Sequence, residues 1–228
     1  IIGNYSWDSS DVSTNDGWGI NEWSQASLMD LLNFGAYYNR TTGNCINNVN
    51  DGFDFCHFIN NGLISEAKEM IGNAKWYLGA TDSYAVNALT LYGNERGFMN
   101  GKYCTQLSNV CNDNVVRKSL WIGKVGLMYP SDYGYASDMS NCTNVNLNSY
   151  GNSCKNSNWL LKNTNQWLLT PNLIDLYAIS VSLMFSNGNL DATGAANAFF
   201  PYPVVYLLPD IKVIDGIGTE KQPFIISK

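Results

Sequence analysis

Few residues of this chain have the types and spacing that covalent catalysis requires. General-base catalysis most often depends on histidine, and His57 is the only histidine in the sequence. It directly follows Cys56, in a segment that reads as a disulfide loop, so we interpret His57 as structural. A pair of carboxylates can hydrolyse glycosides, but every candidate lies in a turn or helix-capping context: Asp8, Asp16, Glu22 and Asp132. We therefore expect that the protein is not an enzyme.

The sequence also lacks the patterns that hold metals or nucleotides. No Cys-x-x-Cys pair occurs, which argues against a zinc site. Asn144, Asn146 and Asn148 alternate in a way that suits calcium, but calcium prefers clustered oxygen ligands and few carboxylates are nearby in sequence. No glycine-rich phosphate loop follows a strand and opens a helix. We predict that the domain uses neither a cofactor nor a metal ion.

The six cysteines occur as three pairs of near neighbours in the sequence: Cys45 and Cys56, Cys104 and Cys111, and Cys142 and Cys154. Six cysteines allow fifteen pairings, but pairing of near neighbours closes three short loops in Asn- and Gly-rich sequence. Each such bridge would stabilise the fold by roughly 3 kcal/mol. Because disulfides persist in oxidising compartments, we predict that the domain is secreted or displayed on a cell surface.

The charge of the chain argues against two classes of partner. Its 228 residues carry a net charge of −6 without a cluster of lysine and arginine, whereas nucleic acids and anionic membrane surfaces attract basic patches. No apolar run reaches the length of a membrane span, so we expect no direct insertion of this segment into a membrane. From the abrupt start at Ile1 and Ile2 we expect that a targeting segment has been removed.

The segment from Trp167 to Leu208 has the most regular pattern. Trp167–Pro171 is an apolar run and Ile174–Phe185 is rich in β-forming residues, which predicts two strands. The second run is apolar on both faces, so it is either central in a sheet or carries a binding surface, and we favour the central position. Ser186–Asn189 predicts a tight turn, and Val204–Leu208 predicts a last strand buried on both faces.

The remaining elements frame this segment and indicate an α+β fold in one domain that spans residues 1–228. They are an edge strand at Ile1–Trp7, a helix that opens at Asn21 with Ala26, Met29 and Leu32 on one face, a helix that begins near Ser65 with a buried stripe of Ala67, Met70 and Ile71, a strand at Trp121–Tyr129, a long loop at Ser137–Trp159, and a closing C-terminal hairpin within 209–228.

The order of the C-terminal motifs resembles that of a known family. Trp167–Pro171, a strand–Asn-Gly–strand unit and Pro203–Leu207 follow one another, as in the C-type-lectin-like fold of the formylglycine-generating-enzyme-like branch. That branch includes bacterial secreted domains and diversity-generating retroelement variable proteins. Asn21–Leu32, Met70–Gly79 and Pro130–Ala136 are similar to the same family. The family's final strand usually begins Gly-Val-Arg-Pro, whereas this chain has Phe200-Pro201-Tyr202-Pro203 there and lacks the arginine.

The resemblance implies a fold and a function. The fold would have small antiparallel sheets, two helices and long disulfide-tied loops. The function would be to bind a protein or glycan on another cell or surface, with the domain carried by a pilus or a surface anchor. In the variable proteins, the residues that differ between copies lie in the C-terminal segment, on an exposed face. Carried to this chain, the resemblance places ligand-binding residues at Leu173, Asp175, Leu176, Tyr177, Asn189, Asp191, Phe199, Phe200 and Tyr202.

Three alternatives stay open at this point. The enzyme branch of the family is an oxidase that uses cysteines in its C-terminal part, and this chain has no cysteine after Cys154. A pilin-like structural subunit without a specific ligand is the second alternative. Thirdly, Phe199 and Phe200 can belong to the core instead of an exposed apolar patch, which would need a cover.

Overall fold

The computed structural model describes residues 3–9, 18–34, 58–99, 102–103, 118–173, 178–219 and 221–228. Within these ranges, several small sheets combine with short helices, which confirms the predicted α+β class. Several residues singled out in the sequence lie outside the described ranges: Asp16, Cys45, Cys56, His57, Cys104, Cys111, Asp175, Leu176 and Tyr177.

The strands described are β1 (Tyr5–Ser6), β2 (Ala74–Tyr77), β3 (Phe98–Met99), β4 (Lys102–Tyr103), β5 (Leu120–Gly123), β6 (Val125–Leu127), β7 (Gln166–Pro171), β8 (Ser180–Met184), β9 (Leu190–Gly194), β10 (Ala198–Pro201), β11 (Pro203–Val205), β12 (Lys212–Asp215) and β13 (Ile225–Ser227). The α-helices described are α1 (Ser27–Asn33), α2 (Ser65–Met70), α3 (Ala88–Glu95), α4 (Pro130–Tyr135), α5 (Met139–Cys142) and α6 (Tyr150–Ser153). Short 3₁₀ or π-helical turns lie at Trp23–Gln25, Phe58–Gly62, Leu147–Ser149 and Lys155–Ser157.

The largest sheet has five strands in the order β1-β10-β7-β8-β9. β10 and β7 run parallel, and the other neighbours are antiparallel. β1 lies at the edge of this sheet, so the N-terminal edge strand is confirmed, although it is shorter than predicted. The predicted turn between β8 and β9 is confirmed as well: Gly188 has φ +94°, and its amide donates to the Phe185 carbonyl at 2.9 Å.

β7 and β8 have a hydrophobic core on each face. Because side chains alternate along a strand, neighbouring residues point into different cores. Trp167, Leu169, Val181 and Leu183 pack in the first core, and Leu168 and Met184 pack in the second. The central position predicted for the second apolar run is therefore confirmed over Ser180–Met184. Ser182, which interrupts the apolar pattern, lies on the side of the second core, where its hydroxyl is 2.6 Å from that of Tyr84.

The described strand β8 begins later than the predicted strand Ile174–Phe185. Ala178 has φ +56°, a left-handed conformation that does not continue an extended strand. The buried Asn21 bonds to the backbone around Ala178. Its backbone amide donates to the Ala178 carbonyl at 2.8 Å, and its side-chain Nδ2 donates to the carbonyls of Asn172 and Ser180 at 3.2 and 2.7 Å. A side chain distant in sequence therefore fixes where β8 starts.

The first core contains five tryptophans among its leucines and other apolar residues. Trp7, Trp23, Trp76, Trp121 and Trp167 are all buried. The ring centroids of Trp7 and Trp23 lie 5.2 Å apart, and those of Trp23 and Trp121 lie 6.2 Å apart, edge to face. The predicted burial of Ala26, Met29 and Leu32 in this core is confirmed. The predicted start of the helix at Asn21 is wrong: a 3₁₀ turn at Trp23–Gln25 and an extended Ala26 come first, and α1 begins at Ser27.

Asp8 and Glu22, two carboxylates considered for catalysis, are buried and hold backbone amides. Asp8 accepts from the amides of Ser27 and Ile20 at 3.0 and 2.9 Å. Glu22 accepts from the amides of Ser24 and Lys118 at 3.1 and 2.8 Å. Both side chains therefore organise loops around the first core.

Cys142 and Cys154 form a disulfide, which confirms one of the three predicted local pairs. Both cysteines are buried in the second core, together with Leu147 and Tyr150. The segment Ser137–Trp159, predicted to be a loop, instead contains α5, α6 and two 3₁₀ turns. The bridge and the two buried side chains attach this segment to the core, so short helical turns can form there.

Two predictions of burial near the C-terminal strand are wrong. The run Val204–Leu208 was expected to be buried on both faces, but β11 pairs only with β6 among the described strands, and Tyr206 and Leu207 are 49% and 43% exposed. The stripe predicted on the second helix is only partly buried: Ile71 is buried, whereas Ala67 and Met70 are half-buried. The C-terminal hairpin is confirmed as the antiparallel pair β12 and β13.

Removal of the Cys142–Cys154 bridge should lower stability while leaving the fold intact. The double variant Cys142→Ala/Cys154→Ala is expected to lose roughly 3 kcal/mol of unfolding free energy, because the denatured chain regains the freedom of the closed loop. Urea unfolding under non-reducing conditions measures this loss. An unfolding free energy equal to that of the wild type would contradict a stabilising role for this bridge.

Candidate ligand-binding surface

The structure separates the C-terminal residues predicted to bind a ligand. Asp191 is exposed on β9, whereas Phe199 and Phe200 lie on β10, and β7 and β8 stand between these two strands. Phe199 is half-buried and packs edge-on against Trp167, with ring centroids 5.1 Å apart. Neighbouring strands are about 4.8 Å apart, so β9 and β10 do not present one continuous row of side chains.

The other described members of the predicted set are mostly engaged within the protein. Leu173 is only 8% exposed and clusters with Ala80. Asn189 accepts a hydrogen bond from the Gly151 amide at 2.8 Å. The half-buried Tyr202 has its hydroxyl 3.4 Å from that of Thr164.

A different group of residues forms the most binding-like part of the described surface. Tyr77, Tyr92, Tyr135 and Tyr206 are each between 42% and 49% exposed. Tyr77 and Tyr92 lie next to Arg96, and the charge of Arg96 acts on Tyr135 and Tyr206. We call these five residues the tyrosine–arginine surface. Such residues combine a rigid aromatic body with a polar tip, the combination that is enriched at binding surfaces.

Arg96 links the members of this surface. Its guanidinium carbon lies 3.4 Å from the ring centroid of Tyr92 and 5.6 Å from those of Tyr77 and Tyr129. Burial raises the pKa of the Tyr206 hydroxyl. The charge of Asp132 adds to this rise, and the charge of Arg96 opposes it. Burial likewise raises the pKa of Tyr135. Tyr92 adds to this rise, and the charge of Arg96 opposes it. Arg96 thus lies over the ring of Tyr92 and near those of Tyr77 and Tyr129, and its charge acts at longer range on Tyr135 and Tyr206.

Separate elements place each tyrosine. Alternation along β2 turns Trp76 into the first core and Tyr77 outwards. Tyr92 lies four residues before Arg96, one helical turn away, and Arg96 Nη1 donates to the Tyr92 carbonyl at 3.1 Å. Tyr206 follows β11 and packs on Trp76 with ring centroids 5.1 Å apart. The exposed rings therefore stand on buried or helical supports.

The buried Glu95 anchors this surface from below. Its Oε1 accepts from the Ser131 amide at 2.8 Å, and its Oε2 accepts from the Ser131 hydroxyl and from Arg96 Nη1 at 3.3 Å. Glu95 is fully buried, whereas the Arg96 side chain is 26% exposed. Burial raises the pKa of Glu95 to about 8, although the hydrogen bonds from Ser131 and the charge of Arg96 oppose the shift.

Asp132 and Tyr129 complete the support. Asp132, expected to form a turn, lies in the first turn of α4, where its Oδ2 accepts from the Tyr129 amide at 3.1 Å. Burial raises the pKa of Asp132. The buried Tyr129 hydroxyl donates to the Tyr77 carbonyl at 3.0 Å. β2, α3 and α4 are thereby tied together directly beneath the exposed rings.

The arrangement keeps its carboxylate inside the protein and presents aromatic and cationic groups at the surface. Both oxygens of Glu95 are occupied inside the protein, so this carboxylate cannot contact a substrate. The exposed tyrosines offer ring faces and hydroxyl groups, and Arg96 offers a cation that is partly exposed. Tyr and Arg are among the residues that contribute most to protein–protein affinity.

The sequence interpretation missed the tyrosine–arginine surface. A local signal existed in the spacing of Tyr92 and Arg96 and in the alternation of Trp76 and Tyr77. Tyr135 and Tyr206 could not be joined to them, because α4 and β11 reach this place only through the tertiary fold.

Two further observations concern metals and membranes. In the described ranges, the acidic, histidine and cysteine side chains form no group of three that could hold a metal ion. None of the helices in the described part of the chain has both the length and the apolar character of a membrane span. Comparisons with protein-family models, with curated proteins and with solved structures returned no match to this chain.

The Glu95→Gln variant should change the pH dependence of stability. The pKa of Glu95 is about 8 in the folded protein, against an ordinary value of 4.5, so the folded state holds this proton more tightly than the unfolded state. The wild type should therefore lose stability relative to Glu95→Gln as pH rises from about 4.5 to about 8. Each unit of pKa difference corresponds to about 1.4 kcal/mol.

Urea unfolding at a series of pH values measures this difference. The variant Glu69→Gln, at an exposed position of α2, is the matched control for the loss of one carboxyl group. A wild type that instead gains stability over Glu95→Gln as pH rises would show that Ser131 and Arg96 outweigh burial.

Proposed function

We propose that this domain is an extracytoplasmic ligand-binding module that holds a macromolecular partner through the tyrosine–arginine surface. The observation that carries the proposal is the cluster of four exposed tyrosines around Arg96, fixed from below by Glu95 and Ser131. Exposed tyrosines add contact area to a binding surface with little loss of side-chain freedom, because tyrosine has few rotatable bonds.

We also propose the C-type-lectin-like fold of the formylglycine-generating-enzyme-like branch. The α+β class, the small sheets, the loop closed by Cys142–Cys154 and the tight turn at Gly188 support this assignment. In that family, binding through an exposed face without catalysis is the role of the variable proteins. The domain would then act on the outside of a cell, carried by a pilus or a surface anchor.

The partner that fits this surface best is a protein. The charges of Arg96 and Asp132 have opposite signs and act on each other, and the exposed tyrosine rings add apolar area. A protein loop offers complementary charges together with apolar side chains, and the exposed tyrosines match the residue types found at binding hot spots. A glycan is the second possibility, because sugar hydroxyls can pair with Asp132 and Arg96.

The C-terminal set remains a separate prediction for the ligand-binding face. Its described members that keep exposed surface and belong to neither core are Asn189, Asp191, Phe200 and Tyr202. If a retroelement diversifies the coding segment for the C-terminal set, the face that carries these residues would vary between copies.

The oxidase alternative needs two reactive, spatially paired thiols, and Cys142 and Cys154 are already joined to each other. Titration of free thiols in the purified protein, together with a copper-binding assay, tests this alternative. Two titratable thiols that bind copper would favour the enzyme.

Binding assays with paired variants should locate the face. The purified domain is first run over protein and glycan arrays to obtain a ligand. The double variant Tyr92→Ser/Tyr135→Ser should then weaken binding at least tenfold, or by about 1.4 kcal/mol, because it removes two ring faces from the tyrosine–arginine surface. The matched variant Asp191→Asn/Tyr202→Ser alters the C-terminal set and should bind like the wild type.

The possible outcomes separate the candidates. Loss of binding only in Asp191→Asn/Tyr202→Ser would move the site to the C-terminal set and overturn our choice of surface. No reproducible ligand on either array would favour a structural subunit. Circular dichroism and thermal unfolding establish that each variant is folded before its affinity is interpreted.

A further inference from the structure

The two-stranded sheet of β2 and β5 exposes aliphatic side chains beside the tyrosine–arginine surface. Along β5, Leu120 and Ile122 are 38% and 58% exposed, whereas Trp121 and Gly123 are buried. This alternation is typical of a strand with one face in water, but such a face normally carries polar residues. Here two successive outward positions of one strand are aliphatic instead.

The register of the sheet joins these residues to the tyrosine–arginine surface. Tyr77 of β2 pairs with Leu120, and Lys75 pairs with Ile122. Opposite residues of an antiparallel pair have their Cβ atoms about 5 Å apart on the same face, so the outward side chains of the two strands form one continuous patch. The ring centroid of Tyr77 also lies 5.6 Å from the guanidinium carbon of Arg96. We call Lys75, Tyr77, Leu120 and Ile122 the β2–β5 face.

Cations border this face. Lys75 lies on it, Lys118 precedes β5 and Lys124 follows β5. In the described part of the chain, none of these three lysines forms an ion pair, and residues 73–79 and 118–125 contain no aspartate or glutamate. The tertiary fold thus gathers a basic border, together with Arg96, in a chain of net charge −6.

The acidic groups that act on these cations leave the positive charge in excess. Glu22 is buried and accepts the backbone amide of Lys118 at 2.8 Å. Glu95 is buried beside Arg96, and because burial raises its pKa to about 8, it carries little negative charge at neutral pH. Asp132 acts on Arg96 at longer range. The exposed side of the β2–β5 sheet therefore combines an aliphatic centre with a net positive border.

We propose that the β2–β5 face extends the tyrosine–arginine surface and takes a segment of a partner protein in which acidic residues flank apolar ones. The apolar residues of that segment pack on Leu120 and Ile122, and its acidic residues pair with the lysines at the border. Surfaces of opposite charge attract each other and exclude partners of the wrong sign. Nucleic acid would match the charges but offers no aliphatic groups. This inference rests on the proposed function, since it defines the partner of the same surface.

Titration with a designed peptide tests the proposal. The probe is a capped peptide with the sequence Glu-Glu-Leu-Phe-Leu-Glu-Glu, and its matched control has glutamine at every acidic position. Backbone amide chemical shifts, followed during the titration, give both the dissociation constant and the place of binding. The wild type should bind the acidic probe at least tenfold more tightly than the glutamine probe, with the largest shifts in residues 75–77 and 120–122. Equal affinities, or largest shifts elsewhere, would overturn the proposal.

Paired variants check the face itself. Lys75→Gln/Ile122→Ser should weaken binding of the acidic probe at least tenfold, because it removes one charge and one aliphatic contact. The matched control Lys212→Gln/Ile214→Ser changes the same residue types at exposed positions of β12 and should bind like the wild type. If circular dichroism shows that the first variant folds poorly, the exposed single change Lys75→Glu replaces it and should also weaken binding. Equal binding by the wild type and the variants of the face would contradict the assignment.

Two outcomes separate this face from the surface beside it. An array ligand that Tyr92→Ser/Tyr135→Ser loses but Lys75→Gln/Ile122→Ser keeps would overturn the extension and leave the proposed function standing. Binding of the wild type to phosphatidylserine vesicles, without binding of the acidic probe, would show that the face contacts an anionic membrane and would overturn the choice of a protein partner.

Discussion

Burial of β7 and β8 on both faces is the constraint on which the rest of the structure depends. A strand covered on one side alone can alternate apolar and polar residues, but these two strands must supply apolar side chains to two cores. The first core then gathers the buried tryptophans, and the second gathers the Cys142–Cys154 bridge and the segment around it. Polar groups on these strands need partners inside the protein, as Ser182 has in Tyr84.

The tyrosine–arginine surface is positioned by this double core. Trp76 links the first core to the surface: its ring packs in that core and also contacts the ring of Tyr206. On the other side, Leu91 of α3 and Tyr133 of α4 are buried in the second core, which sets the distance between these helices. Ser131 and Glu95 can then bond across the gap between α3 and α4. The exposed rings are rigid because both cores hold the elements beneath them.

The sequence predicted what depends on local pattern and missed what depends on distant contacts. The central strand, the turn at Gly188, the edge strand, one disulfide and the closing hairpin follow from alternation, glycine placement and cysteine spacing. The start of β8 does not, because the left-handed Ala178 is held by Asn21 from another part of the chain. The candidate surface could not be found in advance, since Tyr77, Tyr135 and Tyr206 come from three separate elements.

The misjudged burial of Val204–Leu208 has a physical explanation that connects the two surfaces. An apolar residue at every position of a strand predicts apolar neighbours on both faces, but it does not predict how completely each face is covered. Here Val204 packs against both cores, Val205 packs against the first core and Tyr206 packs on Trp76. Leu207, together with part of Val205, lines an apolar groove between α2 and β11. Because these residues alternate on one short segment, a partner that fixes Val205 and Leu207 also restricts the backbone of Tyr206. Tyr206 and Leu207 follow β11 directly, so neighbouring residues of one segment belong to the tyrosine–arginine surface and to the apolar groove.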